Sequence, residues 1–495
     1  MLENTHLGRI QPQKNPCAVV GFLVFCELAS GFVQGYYPPL LAKIADHLGT
    51  TDADITWFLT VQTLAAAVFV PLMSRLGDLF GHRRVLRIAI ISVLIGTIVT
   101  ALLPSYPLVL VARVLVGPLA VWLPLEIALV HGRISGESAR KAIGLLVSFL
   151  TGGAILGTVS AGIVDSVSPS LSATLALPVV LVAISAYAVF FKVPESNSRS
   201  RGRIDAIGFI GLAVAMVLLL SGLRLASSEG FGSLSTIASL AAALLVFTTW
   251  VLWELRVSSP AVDVRLIVSR RLGPIYLTGF LFGMVVFGGQ APLSTFLAAD
   301  PAATGYGFEA TPSTVSGVLA LITLLATVGG ASFAYLAKLI GIRTVLILGA
   351  VLAAAANLAQ TVFHAELWHL WLTSGVSGIG MGLLLGALPA LLAERAPQDQ
   401  TGIATGVYNS LRTLGGAAAG AIFGLILSVF AAADGRFAAI EGYITIWTIS
   451  GLAFIGAVVC LLMLESDRPS NEPSPPGFHP EKAGSSGFNN DKDAL

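Results

Sequence analysis

The sequence predicts an all-α membrane protein of fourteen transmembrane helices, arranged as two related six-helix halves with two further helices inserted between them. Three observations carry that prediction. The 495 residues are 55% hydrophobic and only 11% charged, with a mean hydropathy of +0.85. A soluble domain carries roughly 25% charged residues and needs polar groups to cover its surface. The apolar residues come in runs of about 20, the length that crosses the hydrocarbon as a helix, and the runs are too continuous for barrel strands. The positive charges fall almost wholly on one side of those runs.

The runs follow in order. The chain opens on a polar cytoplasmic segment, "MLENTHLGRIQPQKNP" (1–16), and the next run fits a retained helix better than a short cleavable signal core. Span one is 17–38. Spans two (55–75) and three (85–104) are joined by the short charged loop "SRLGDLFGHRRVL", Ser74 to Leu86. Span four (107–130) contains Arg113 and Glu126, and span five (141–164) is punctuated by glycine. Span six (171–192) completes the first half, 17–192. Spans seven (204–224) and eight (234–255), with their linkers, make an inserted segment, 193–271. Spans nine to fourteen lie at 272–297, 313–336, 343–362, 367–393, 402–430 and 441–464, and make the second half, 272–464. The tail, 465–495, is rich in Pro, Gly, Ser and charge, the composition of a disordered cytoplasmic segment.

Charge tests the count. Of the 28 Lys and Arg, 23 fall on the side of the termini, three (Lys43, Arg224 and Arg436) on the other, and Arg113 and Arg412 inside spans. The positive-inside rule then puts both termini in the cytoplasm of a multi-pass plasma-membrane protein. A net charge of +1 gives no reason to expect nucleic acid as a partner. Cys17, Cys26 and Cys460 fit neither a zinc site nor a disulfide framework. No His/Cys cluster suggests a metal. No phosphate-binding Gly-x-x-x-x-Gly-Lys-Ser/Thr loop suggests ATP, so no cofactor is expected. A membrane enzyme is disfavoured, because no compact set of polar catalytic residues appears.

An internal repeat organises the rest. "LGDLFGHRRVL" (Leu76–Leu86) lies over "LAKLIGIRTVL" (Leu336–Leu346), with six of eleven positions identical, Gly81/Gly341 and Arg83/Arg343 among them. "GGAILG" (Gly152–Gly157) in span five is echoed by "GGAAAG" (Gly415–Gly420) in span thirteen. Two related six-span halves are the plan of a rocking secondary transporter with its site at the midplane.

These residues resemble the major facilitator superfamily, in particular its 14-spanner drug:proton antiporter branch, over roughly residues 17–464. The family's loop signature is Gly-x-Leu-Ala-Asp-Arg-x-Gly-Arg-Arg-x-x-Leu. Here Asp78, Gly81 and Arg83 match, while Ser74 replaces the first glycine, Leu79 the first basic residue and His82 the second. "RIDAIGFIGL" (Arg203–Leu212), "WELRVSSPAVDVRLIVSRR" (Trp253–Arg271) and "GIATGVYNSLRTLGGAAAG" (Gly402–Gly420) are similar to segments of the 14-spanner branch. The resemblance implies a proton-coupled exporter of small, apolar or cationic organic compounds, working as a monomer by alternating access. An importer or symporter of a metabolite is the alternative.

It also frames the candidate residues. Ionisable groups inside a span are costly and default to function. Glu27 lies near mid-depth in span one. Arg113 lies in a segment that resembles the family's span-four motif, whose arginine is implicated in proton coupling. The two could switch protonation together, form a static ion pair, or not meet. Glu126 lies nearer the cytoplasmic end, where facing the Asp78–Arg83 loop is the expected role. The loop resembles the family's cytoplasmic latch. In it Asp78 would attract the N-terminus of span thirteen near Thr401–Gly402, Gly77 and Gly81 would allow a tight turn, and Arg83 would steady the carboxylate. Gly153, Gly157 and Gly162 align with the family's antiporter signature, with Thr158 where it has proline; the same glycines suit plain close helix packing. Gln34, Trp122, Gln290, Tyr408 and Asn409 are the expected polar lining of the cavity. Arg412 either joins them or caps a carbonyl at a helix contact.

Overall fold

A computed structural model describes residues 16–134, 136–195, 205–257, 260, 262, 264–396, 401–432 and 436–464. Most of the polar N-terminal segment and the tail after Leu464 lie outside these residues. Fourteen long helices follow one another: α1 Pro16–Tyr36, α2 Asp52–Phe80, α3 His82–Leu102, α4 Tyr106–His131, α5 Gly136–Val167, α6 Leu171–Phe191, α7 Ala206–Glu229, α8 Leu234–Glu254, α9 Gly273–Ala298, α10 Pro312–Ile340, α11 Ile342–Gln360, α12 Leu367–Arg395, α13 Thr401–Val429 and α14 Ile440–Met463. Among the described residues, α2 to α14 are long and apolar enough to cross a membrane. The 21-residue α1 packs inside the bundle against α5 and α6.

Local chemistry sets the ends. Thr51, Ser170, Asp205, Ser233 and Thr311 cap α2, α6, α7, α8 and α10, each side chain accepting from a backbone N–H in the first turn. The charged segment 74–86 is not a loop. Its first half continues α2 to Phe80, and Gly81 alone separates α2 from α3, at φ 109°. Gly341 does the same between α10 and α11, at φ 82°. A side chain is strained at such φ, which explains why the repeat keeps glycine there. Gly77 takes no part in the turn; it lies within α2, where an added Cβ would stand 2.6 Å from the Leu125 side chain.

Span four is broken rather than straight. Tyr106–Val116 and Trp122–His131 are joined by a 3-10 turn, Gly117–Val121. Pro118 cannot donate to the helical ladder, and Gly117 lets the break press on α2, 2.4 Å from where its Cβ would meet Ala65. Span nine breaks similarly, into Gly273–Gly288 and Gln290–Ala298.

The repeat is visible in the packing. In the first half α1 lies on α5 with backbones touching: Cβ atoms on Gly31 and Gly35 would stand 1.8 and 2.1 Å from the carbonyls of Leu150 and Ala154, and on Gly153 and Gly157 about 2.1–2.2 Å from those of Leu28 and Phe32. In the second half α9 lies on α13 likewise, with Gly283 against the Arg412 carbonyl and Gly415 against that of Phe280. Thr158, in place of the signature proline, donates its hydroxyl to the carbonyls of Gly35 and Ala154. Arg83 donates to the carbonyls of Val189 and Phe190 at the end of α6, and Arg343 to those of Leu461 and Leu462 at the end of α14. Guanidinium groups suit the negative, unsatisfied carbonyl end of a helix.

The halves meet along two seams, α2 with α13 and α5 with α10. Between described residues, the hydrogen bonds that join them all lie at the face opposite the arginine-rich turns. There the Asp52 carboxylate accepts from the Tyr443 hydroxyl (3.0 Å) and the Ala438 N–H (3.2 Å), and the Asp52 N–H donates to the Arg436 carbonyl (3.2 Å). Arg436 pairs with Asp46, and Ser313 donates to the Gly162 carbonyl. Gly162 therefore touches the other half, not α1 as its two neighbours do. The inserted pair, α7 and α8, packs chiefly on itself, and α7 also lies against α13 and α2.

Candidate functional site

A cavity of about 210 Å³ lies between the halves. Its wall is apolar for the most part, with Leu59, Val70, Leu119, Leu123 and Phe287, and polar at a few points. Gln34, Gln290, Asn409 and Arg412 line it, together with Gln62 and Thr63 of α2, which the sequence did not single out. Trp122 and Tyr408 do not. Trp122 is fully buried in the core of the first half, and Tyr408 fills the space beside Gly279, 2.6 Å from where its Cβ would be. Both residues were expected from their polar atoms, but bulky rings of this kind pack inside a half as readily as they face a cavity.

Glu27 forms part of the cavity wall yet has no exposed surface. Its partner is not Arg113. The Glu27 carboxyl stands beside that of Glu126, itself fully buried, and among the described residues no N–H or O–H donor reaches either group. An ionised carboxylate only accepts, so two carboxyls bond to each other only when one carries its proton. The expected place for Glu126, beside the Asp78–Arg83 turn, is thus replaced by one inside the bundle, where α4 turns that face toward α1.

Arg113 is held elsewhere. Its guanidinium donates to the Phe58 carbonyl at 3.3 Å and to the Gln62 side-chain oxygen, and lies over the rings of Phe58 (4.1 Å) and Tyr37 (4.4 Å). Cation–π contact and two acceptors compensate a charge that is 1% exposed. Through Gln62 it reaches the cavity indirectly: with the amide oxygen engaged, the amide N–H groups are what Gln62 can offer a ligand.

The sequence profile described as Major Facilitator Superfamily matches residues 23–419 and, in a second placement, 275–489. The chain belongs to the major facilitator superfamily. It is a transporter, not an enzyme. It is 25% identical over 391 residues, 78% of this chain and 71% of the relative, to the tetracenomycin C resistance and export protein of Streptomyces glaucescens. It is 27% identical over 406 residues, 76% of this chain and 80% of the relative, to the uridine/deoxyuridine transporter of Lactococcus lactis subsp. cremoris (strain MG1363). Among solved structures, an auto inhibited POT family peptide transporter shares the fold at a TM-score of 0.66 and 15% identity, covering 92% of this chain and 98% of that one.

The superfamily's loop signature occupies the α2–α3 turn, with contacts other than those expected. Asp78 is 3.1 Å from His82 and 4.0 Å from Arg75, both on neighbouring turns of the same hairpin. Arg83 does not steady it, being committed to the end of α6. The side chains of Thr401–Gly402, the expected partner, lie outside the described residues. The carboxylate at the start of α3 is instead Glu195, which accepts from the Arg83 N–H at 3.0 Å and lies against Gly81. Arg133 in turn donates to the carbonyls of Pro194 and Glu195. Glu195 follows α6 in an ordinary polar loop, and no sequence signal marks it.

Proposed function

We propose that the chain exports small organic compounds in exchange for protons by alternating access, in the plasma membrane, with the arginine-rich face and both termini in the cytoplasm. The observation that carries this reading is the Glu27–Glu126 pair. Two buried carboxyls side by side, shielded from other donors, form a site where protonation can change at the wall of the cavity between the halves. Opening the cavity to one side hydrates the pair and lets the proton leave; closing it buries the pair again. The export relative named above supports the direction. The basic face meets the positive-inside rule.

In this reading the α2–α3 turn is the cytoplasmic latch. Asp78, 44% exposed in its side chain, is available to a helix N-terminus of the other half when that face closes. Gly81, Arg83 and Glu195 hold the turn in shape, Gly77 lets Leu125 pack closely on the helix before it, and Arg113 positions Gln62 for the cargo.

The test is uptake by inverted vesicles on an imposed pH gradient. Acidifying the lumen is expected to drive uptake, and Glu27→Gln and Glu126→Gln are each expected to abolish accumulation against a gradient while leaving ligand binding. Unchanged pH-driven accumulation in both variants would remove the pair from coupling. The nucleoside-transporter relative favours one alternative, a proton symporter importing a metabolite. Uptake that follows protons inward in right-side-out vesicles would establish it.

A further inference from the structure

Arg412 lines the cavity without an ion-pair partner among the described residues. Its Nε is buried with no hydrogen-bond partner, and its guanidinium stands 5.6 Å from the Phe287 ring and 6.0 Å from that of Tyr408. Among the described residues it caps no carbonyl. Glu27 lines the same cavity but makes no ion pair with it. A half-buried guanidinium whose described neighbours are Tyr408 and the Phe287 ring favours a group that supplies a negative charge.

The arginine is also fixed in place. Gly283 lets α9 close on α13 at the Arg412 carbonyl itself, so the base of the side chain is clamped by backbone contact. Beside it, Gln62 offers N–H donors because Arg113 occupies its oxygen. Gln34 donates its N–H groups to Ser30, and Gln290 donates one N–H to the Val286 carbonyl. The polar lining is thus a cation and a few amides set in an apolar and aromatic wall.

We propose that Arg412 binds an acidic group of the cargo, so that the preferred substrates are organic anions, a carboxylate or phenolate on a flat apolar body that packs on Phe287. This replaces the apolar or cationic cargo expected from sequence, and it rests on reading the cavity as the cargo site. It carries an electrical consequence. Exchange of an outgoing anion for an incoming proton moves two positive charges inward per cycle, whereas one-for-one exchange of a cation moves none.

The test uses anthracene with three head groups, carboxylate, neutral carboxamide and methyl-trimethylammonium, binding to the purified full chain in lipid nanodiscs. The carboxylate is expected to bind at least tenfold more tightly than the ammonium. Arg412→Gln is expected to remove that preference by about ten- to a hundredfold, as for a charge-assisted contact. Arg412→Lys is expected to keep much of it, which shows that the site still folds. An ammonium that binds more tightly than the carboxylate, a carboxylate that does not bind, or an Arg412→Gln protein with unchanged preference overturns the proposal. The export reading stands or falls separately: a carboxylate held through Arg412 but not moved by a pH gradient keeps the anion site and removes proton exchange.

Discussion

Tyr443→Phe isolates the tie that closes the face opposite the arginine-rich turns. The hydroxyl it removes donates to Asp52 across the halves at 3.0 Å and lies 3.0 Å from the Thr295 hydroxyl within its own half. Only the first contact differs between a closed and an open face, and only a differential contact shifts a two-state equilibrium. A hydrogen bond to a charged group contributes about 1.5–3 kcal/mol net. Its loss multiplies the open fraction by about ten to a hundred, at about 1.4 kcal/mol per tenfold. The ring stays, so its packing on Phe296 and Tyr306 stays. The assay is labelling from outside the cell of a cysteine placed at Gln290, in a background without native cysteines. A rise of at least fivefold in labelling rate over the Tyr443 parent is expected. An unchanged rate would refute the reasoning, since it would show that the Asp52 tie either persists through the cycle or contributes nothing to closure.

Three further outcomes are expected. Gly157→Ala drives a Cβ to within 2.2 Å of the Phe32 carbonyl, so α1 and α5 must part; a loss of about 1–3 kcal/mol, read as a lower melting temperature in detergent, is expected, and an unaltered melt would show that the contact gives way freely. Asp78→Asn is expected to cut transport by favouring the state open to the cytoplasm, seen as faster cytoplasmic labelling of a cysteine at Val70; no increase would leave the turn as a topology signal alone. Reporter fusions after residues 200 and 470 are both expected to read as cytoplasmic, and an external readout at either one would overturn the fourteen-span count.

Much of the fold was legible because lipid forces it. Twenty apolar residues admit few other structures, so span positions followed from run length, and α2 and α10 outran them only where charged residues continue a helix past the hydrocarbon. The repeat was legible at Gly81 and Gly341 because a positive φ leaves a mark in residue type. The site was legible only as a set of residues. Counting along a helix places Glu27 and Glu126 at depths, but says nothing of azimuth, and the break at Gly117–Pro118 turns the second half of α4 by an amount that spacing does not encode. Hence Glu126 was expected at the turn, and contact between Arg113 and Glu27 stayed open, when Arg113 has two aromatic rings and Gln62 to itself. Gln62 and Glu195 left no trace, being ordinary polar residues until a neighbour gives them a task.

The placement of α7 makes the two lipid-facing flanks of the protein unlike. Along the α2–α13 seam α7 lies against both helices, like a batten over a joint. Along the α5–α10 seam neither inserted helix makes substantial contact, and that side faces the bilayer directly. A compound with a flat apolar body partitions into the membrane before it meets any protein. For such a molecule entering from the leaflet, α7 would obstruct one flank and leave the other, at α5 and α10, uncovered. Loading from lipid would then be one-sided, and bulky residues along that single seam, rather than at the cavity, would decide which membrane-dissolved compounds are admitted.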